Sequence, residues 1–292
     1  MTEHPVGFIG LGNMGRHMAN NLANAGFSLS VFDAAGTTER APPNAHIARD
    51  AAHVAATADP VILSLPDGQA VHSVCEQIIA SEDAVAHTVV DTSTIGINAA
   101  KSVYRLLHDA GFDYLDAPVS GGTAGARDAT VSMMFSGSGA SLERLRPILD
   151  PICGVLMHVG TRPGQGQAMK VLNNFLSGTA MAATAEAIAF GDTQGLKMET
   201  MLEVLNVSSG RNTATSDKFP NRILTQTFDA GFTAGLMEKD ITLYLESARL
   251  AGTDDSVASV VAAMWAEFAT LDAEVDFTKI YPHIVAKGER DS

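Results

Sequence analysis

The chain has 292 residues, 46% hydrophobic and 18% charged, a globular composition that excludes wholesale disorder and suits two domains. Its 19 basic and 33 acidic side chains give a net charge of −14, which repels phosphate backbones and argues against a nucleic-acid partner, though not against a small anion in a locally positive pocket. Two cysteines, Cys75 and Cys153, cannot build a disulfide scaffold and fit a reducing compartment.

Residues 6–10 form a short apolar run that ends in glycine, read as a first strand. Residues 14–25 carry Met14, Met18, Leu22 and Ala25 at helical spacing, and Gly26 stops that helix. Leu29–Phe32 is the next predicted strand, ending at Asp33. Strands follow at 61–65, Thr88–Asp91 and Asp113–Asp116, with helices at 71–79 and 99–107 between them. This alternation predicts right-handed βαβ units and a doubly wound, Rossmann-type parallel sheet. Later strands are expected at 131–136 and 155–159, flanking a helix over 141–149.

Beyond residue 160 the pattern changes. Residues 165–191 are almost continuously helix-compatible, with apolar residues around most of the helix, so burial on several sides is expected. Further helices are predicted over 198–207, Ala234–Ala251 and 257–271. The Pro/Gly-rich stretch 161–166 therefore divides a Rossmann-type domain, 1–163, from an all-α domain, 164–292.

Gly10-Leu11-Gly12-Asn13-Met14-Gly15 reads G-x-G-x-x-G, and it leaves a strand to open a helix. In that context Gly10 permits the tight turn, Gly12 admits a pyrophosphate, and Gly15 lets helix and strand pack closely. The helix N-terminus supplies N–H groups for phosphate. Asp33 can accept from ribose hydroxyls and repel a 2′-phosphate, which favours NAD over NADP; a turn-forming aspartate is the other reading, and Arg40 keeps NADP open. Lys170, Asn173 and Asn174 share one helix face, and Ser177 continues it. A polar stripe on an apolar helix faces a polar cavity, or its ammonium is paired with a carboxylate. Ser120-Gly121-Gly122 uncovers backbone N–H groups that could hold a carboxylate, or it is a plain glycine turn.

Four segments together resemble the β-hydroxyacid dehydrogenases, the group that includes 3-hydroxyisobutyrate dehydrogenase and tartronate semialdehyde reductase. They are Phe8-Ile9-Gly10-Leu11-Gly12-Asn13-Met14-Gly15, Asp116-Ala117-Pro118-Val119-Ser120-Gly121-Gly122, the run from Gly164 to Asn174, and Lys239-Asp240. The resemblance implies a Rossmann-type domain followed by a helical one, and NAD-dependent interconversion of a short 3-hydroxy acid and its semialdehyde or keto form. It implies Lys170 as general acid/base and Asn174 as a substrate-orienting donor. Ser120, Gly121, Gly122, Asn173 and Lys239 would surround the substrate. Gly10, Gly12, Asn13, Met14, Gly15, Asp33, Leu65, Pro66, Thr94 and Lys239 would surround the cofactor. A homodimer or homotetramer is expected. Imine reductases, 6-phosphogluconate-type enzymes and non-catalytic dinucleotide binders share this domain plan and stand as alternatives.

No H-E-x-x-H, C-x-x-C or G-x-S-x-G motif occurs, so neither a protein-held metal nor a serine hydrolase is expected. The start, Met-Thr-Glu-His-Pro, lacks the features of a signal peptide. No uninterrupted apolar stretch of about 20 residues occurs, so no membrane span is predicted and a cytoplasmic location is expected. Phe219 and Phe232 are candidates for shaping the substrate pocket, and Arg211 reads either as a holder of a second carboxylate or sulfonate or as a surface arginine.

Overall fold

The computed structural model describes residues 4–290; the reading of the first three residues as lacking a leader lies outside them. The chain divides into two compact units, Met1–Lys170 and Val171–Ser292.

In the first unit, β1 (Val6–Ile9) is wholly buried and pairs in parallel with its neighbours on both sides. The loop after it leads into α1 (Gly15–Asn24), whose Met18, Ala19 and Leu22 pack against the sheet core. Gly26, at φ 90°, ends that helix in a conformation that favours glycine. Next come β2 (Leu29–Phe32), β3 (His46–Ile47), α2 (Ala51–Thr57), β4 (Val61–Leu63), α3 (Gly68–Ile79), β5 (Thr88–Asp91), α4 (Ile97–Asp109) and β6 (Asp113–Asp116). The unit continues through β7 (Val119–Ser120), α5 (Gly122–Arg127), β8 (Ser132–Ser136), α6 (Gly139–Leu149) and β9 (Val155–Gly160). The sheet order is β3-β2-β1-β4-β5-β6-β8-β7, with β9 on β8. Central strands buried on both faces are the near-continuous apolar runs of a doubly wound sheet.

Two features were not anticipated. The sheet is parallel from β3 to β6, but β8 runs antiparallel to β6 and β7. The 117–131 link holds only one short helix, too little for a parallel crossover. β3, α2, β7 and α5 were also missed. α2 has seven residues, under two turns of periodicity, and is set by its cap: Asp50 accepts from the His53 N–H at 2.7 Å.

Helix α7 (Gln165–Thr193) begins in the first unit and continues in the second. The second unit adds α8 (Met198–Asn206), a π-helical segment Ala214–Ile223, α9 (Ala234–Ala251), α10 (Ser256–Leu271) and α11 (Ile280–Arg290). Its core gathers Met181, Ile188, Phe219, Ile241, Trp265 and Phe277. Trp265 donates from Nε1 to the Gly178 carbonyl at 3.2 Å. A Cβ at Gly178 would lie 2.6 Å from Ile241, so this glycine lets α7 and α9 approach closely. The expectation that α7 is buried on several sides needs correcting. Met181 and Ile188 are buried, but Leu172, Leu176 and Phe190 are 42%, 58% and 67% exposed. Those three project near one another around the helix axis, because 18 residues is five turns, so one apolar face is left uncovered in the single chain.

Beneath the carboxyl end of the sheet, Asp91 of β5 is buried, accepting from the Ser93 N–H at 2.9 Å and the Tyr114 hydroxyl at 3.0 Å. Burial pushes its carboxyl up to about 6, with those two bonds opposing and Asp116 adding to the rise. The folded state then holds a proton that the unfolded state has already lost between about pH 4 and pH 6. Stability drawn from protonated Asp91 is therefore lost as pH rises through that window. Asp91→Asn keeps an acceptor for Ser93 and does not titrate. Relative to wild type it should gain ~3 kcal/mol between about pH 4 and pH 7. Urea unfolding of both proteins across that range tests this; parallel stability curves would refute it.

Candidate active site

The glycine loop is positioned by close packing. Gly10 has φ 93°, and its N–H donates to the Phe32 carbonyl at 2.9 Å. A Cβ on Gly15 would sit 1.9 Å from the Gly10 carbonyl oxygen, so only glycine lets α1 start there. At Gly12 the same Cβ would meet nothing within 4 Å, and Gly12 and Asn13 are exposed. No side chain caps α1 at Met14. The loop therefore presents an open cradle at an uncapped helix N-terminus, which fits a dinucleotide pyrophosphate.

Asp33 closes the other side of this cradle. Its Oδ2 accepts from the Leu11 N–H at 2.6 Å, tying the glycine loop to the end of β2. Its Oδ1 accepts from the Ala35 N–H at 2.8 Å and from Arg40 Nη1 at 3.0 Å. Arg40 is thus already paired with the Asp33 carboxylate, and its charge offsets part of that carboxylate's repulsion toward a second anion.

Leu65 and Pro66 follow β4 at its carboxyl end, and the Leu65 N–H donates to Ser93 Oγ at 2.8 Å. Thr94 lies half-buried just after Ser93. Ser120 ends β7, and Gly121 and Gly122 follow at φ 143° and 65°. A Cβ on Gly121 would lie 3.1 Å from the Val131 Cα, so both conformation and space restrict this turn to glycine. Lys170 is 6% exposed on α7 and closes the first unit.

The second unit brings the remaining candidates into one polar chain. Asn173 Nδ2 donates to Asn174 Oδ1 at 3.0 Å, and Asn174 Nδ2 donates to Asp240 Oδ2 at 2.5 Å. Lys239 Nζ lies 3.5 Å from Asp240 Oδ1, an ion-pair distance without a hydrogen bond to that oxygen. Asp240 is 2% exposed. A buried carboxylate so placed fixes the Asn174 amide and holds positive charge beside it.

The sequence reading assigned no site role to Asp116 or Gln167, whereas it named Arg40 as keeping NADP open and quoted Asp240 beside Lys239. Gln167 could have been found, because it precedes Lys170 by one helical turn and extends the polar stripe. The Asp116 and Asp240 contacts join segments far apart in the chain. Phe219 is fully buried against Tyr281, and Phe232 packs edge-on to Phe277. Arg211 is exposed. Among the described residues, no three His, Cys, Asp or Glu side chains cluster as metal ligands, and no helix is long and apolar enough to cross a membrane.

Comparison with known proteins agrees with this geometry. Residues 5–160 match the family model for the NAD-binding domain of 6-phosphogluconate dehydrogenase. Residues 164–284 match that for the NAD-binding of NADP-dependent 3-hydroxyisobutyrate dehydrogenase. A probable 3-hydroxyisobutyrate dehydrogenase of Mycobacterium bovis is 33% identical, over 97% of this chain and 99% of that one. An NAD-dependent L-serine dehydrogenase of Pseudomonas aeruginosa is 34% identical, over 89% of this chain and 90% of that one. The solved structure of Mycobacterium tuberculosis 3-hydroxyisobutyrate dehydrogenase with L-serine superposes with a TM-score of 0.88 at 32% identity, covering 97% of this chain and 99% of that one. The chain belongs to the β-hydroxyacid dehydrogenase family.

The close approach at Gly15 yields a direct test. Gly15→Ala should displace the Gly10 carbonyl, lower Tm and weaken NAD binding together, measured by thermal melts with and without NAD. An unchanged Tm with undiminished stabilisation by NAD would show that the loop tolerates a methyl group.

Proposed function

We propose that the chain oxidises a short 3-hydroxy acid to its semialdehyde or keto form with NAD, or runs the reverse reduction, using Lys170 as the general acid/base. The observation that carries this is a lysine buried on the same helix face as Asn174, in a chain whose glycine loop is open for a dinucleotide. NAD supplies the hydride acceptor, and NADH the donor. Gly10, Gly12, Asn13, Met14 and Gly15 would hold the pyrophosphate, and Asp33 the adenosine ribose. Leu65, Pro66, Thr94 and Lys239 would line the remainder of the cofactor site.

Backbone N–H groups of Ser120, Gly121 and Gly122 hold the substrate carboxylate. Asn174, aligned by Asp240, donates to the substrate hydroxyl or carbonyl oxygen, and Asn173 supports it. Neutral Lys170 takes the hydroxyl proton during oxidation; charged Lys170 returns it during reduction. Asp33 favours NAD, and its pairing with Arg40 keeps NADP as the second choice. Relatives named for 3-hydroxyisobutyrate and L-serine support a substrate with a small group beside the carboxylate. The unbridged Cys75 and Cys153, both buried, agree with a reducing cytoplasm. NADH formation across a panel of short 3-hydroxy acids tests the whole reading; no turnover with either nicotinamide cofactor would end it.

Two predictions follow from particular side chains. Lys170→Ala should lower kcat roughly 10²- to 10⁴-fold while NAD affinity changes little. Lys170→Arg should rescue poorly, because a guanidinium cannot serve as a base at neutral pH. Kinetics, NAD titration and melting on the same variants decide this, and near wild-type kcat in folded Lys170→Ala would exclude the role.

The apolar face of Leu172, Leu176 and Phe190 is proposed to pair with a second copy, giving a homodimer or homotetramer through the helical unit. Light scattering at micromolar concentration should return at least a dimer mass. Leu176→Glu combined with Phe190→Glu should reduce it, and a monomeric wild type would refute the assembly.

A further inference from the structure

Below Lys170, the first turn of α7 is secured by a buried set of polar contacts that the catalytic assignment does not use. Gln167 is fully buried. Its Oε1 accepts from the Ile95 N–H at 2.9 Å and the Gly96 N–H at 3.1 Å, and its Nε2 donates to the Ser93 carbonyl at 2.8 Å. A single side-chain amide thus grips the whole turn that follows β5. Ser93 passes the constraint on in two directions. Its N–H is held by Asp91, and its Oγ accepts from Leu65 at the end of β4.

Asp116 supplies the matching grip from β6. Its Oδ1 accepts from the Gly164 N–H at 2.9 Å and its Oδ2 from the Gln167 N–H at 3.0 Å, so it caps α7 from a neighbouring strand. A Cβ on Gly166 would fall 2.6 Å from the Met134 carbonyl oxygen and 2.8 Å from Asp116 Oδ2, so the helix start is pressed against β6 and β8. The carboxyl ends of β4, β5 and β6 therefore all index one helical turn. Ligands of open α/β sheets bind at this edge. Lys170 stands one turn further along α7, on the same face as Gln167.

We propose that Gln167 is a positioning residue for hydride and proton transfer: by clamping the 93–96 turn to the first turn of α7, it sets where the Lys170 amine stands relative to the strand-edge segments Leu65-Pro66 and Thr94. The role rests on the dehydrogenase reading above. Helical propensity alone would leave the first turn of α7 able to fray, because four N–H groups there lack intrahelical partners. The Gln167 amide has three of its hydrogen-bonding positions filled by backbone, which leaves little freedom for the turn or the helix to shift. Adenosine binding depends on other elements, the glycine loop and Asp33, so a fault at Gln167 should appear in the chemical step.

The test uses the full chain with NAD and with L-serine and 3-hydroxyisobutyrate, each also deuterated at C3. Gln167→Met removes all three bonds at similar volume. Gln167→Glu keeps the acceptor for Ile95 and Gly96 and removes the donor to Ser93. Gln167→Met should lower kcat roughly 10- to 100-fold, the scale of a small misplacement of a catalytic group. KM for NAD should stay within about twofold, and the deuterium effect on kcat should rise as hydride transfer becomes limiting. Gln167→Glu should fall between Met and wild type. If kcat and the isotope effect stay at wild-type values in folded variants, Gln167 is only structural and the proposal is overturned, whatever happens to Tm. Should Gln167→Met fail to fold, the Glu variant decides by the same two readouts. A wild type inactive on both substrates and on the wider hydroxy acid panel overturns the dehydrogenase reading and this role with it. An active wild type with indifferent variants overturns this role alone.

Discussion

The contact on which the rest depends is the cap that Asp116 places on helix α7. A carboxylate at the end of β6 accepts from the Gly164 and Gln167 N–H groups and so sets where that helix begins. Burial makes the carboxylate costly and pushes its carboxyl above the ordinary range, while bonds from Gly164, Gln167 and Gly166 oppose the rise. Once the start is set, helical geometry fixes which residues share a face. Gln167, Lys170 and Asn174 follow from that one origin. A one-residue slip would turn Lys170 by about 100° and carry its amine off the face.

The same economy of pairing recurs wherever this acidic chain buries a carboxylate. Asp33 is held by two backbone N–H groups and Arg40; Asp91 by Ser93 and Tyr114; Asp240 by Asn174, with Lys239 alongside. None is a general surface charge. Each orients a donor or a loop that the proposed chemistry needs. A net charge of −14 is therefore compatible with an anionic cofactor and an anionic substrate. Under the proposed function the chain receives them with backbone N–H groups at an uncapped helix start and a two-glycine turn.

What could be read in advance was local. Alternating apolar runs and glycine stops placed β1, β2, β5, β6 and α9 to within a residue or two, because a strand buried on both faces or a long helix repeats its signal. The glycine loop was legible because a strand, three glycines and a helix occur in immediate succession. The 46–57 segment was not, because β3 and α2 are too short to show a period and are held by Asp50 and by pairing with β2. The antiparallel return of β8 was missed because direction in a sheet is decided by the link, not by the strand. In the site, Lys170 and Asn174 stood out as polar residues on an apolar helix. Asp116, 51 residues from Gln167, and Asp240, 66 residues from Asn174, did not. A partner brought by folding leaves no spacing to read.

This division also separates what the chain can vary from what it must keep. The proposed cofactor loop relies mainly on backbone: Gly10 stands at φ 93° and a Cβ on Gly15 would strike the Gly10 carbonyl, and the proposed substrate turn relies likewise on Gly121 and Gly122 at positive φ. The proposed proton transfer relies on side chains indexed along α7. The 212–223 segment obeys neither constraint. Asn212 pins it, accepting from the Ala214 N–H at 2.7 Å and the Thr215 N–H at 3.1 Å while donating to Thr184 of α7 at 3.1 Å. Asn206 adds a second anchor at the start of the π-helical stretch, its Nδ2 donating to the Thr215 carbonyl at 2.9 Å. A π-helical turn is locally less stable than α and persists where its context holds it. Here Phe219 and Ile223 supply that context by packing into the helical core. Just before Phe219, Asp217 accepts from Lys218 and from Asn221 Nδ2, so the polar side of the segment is tied to itself while its apolar side is tied to the core.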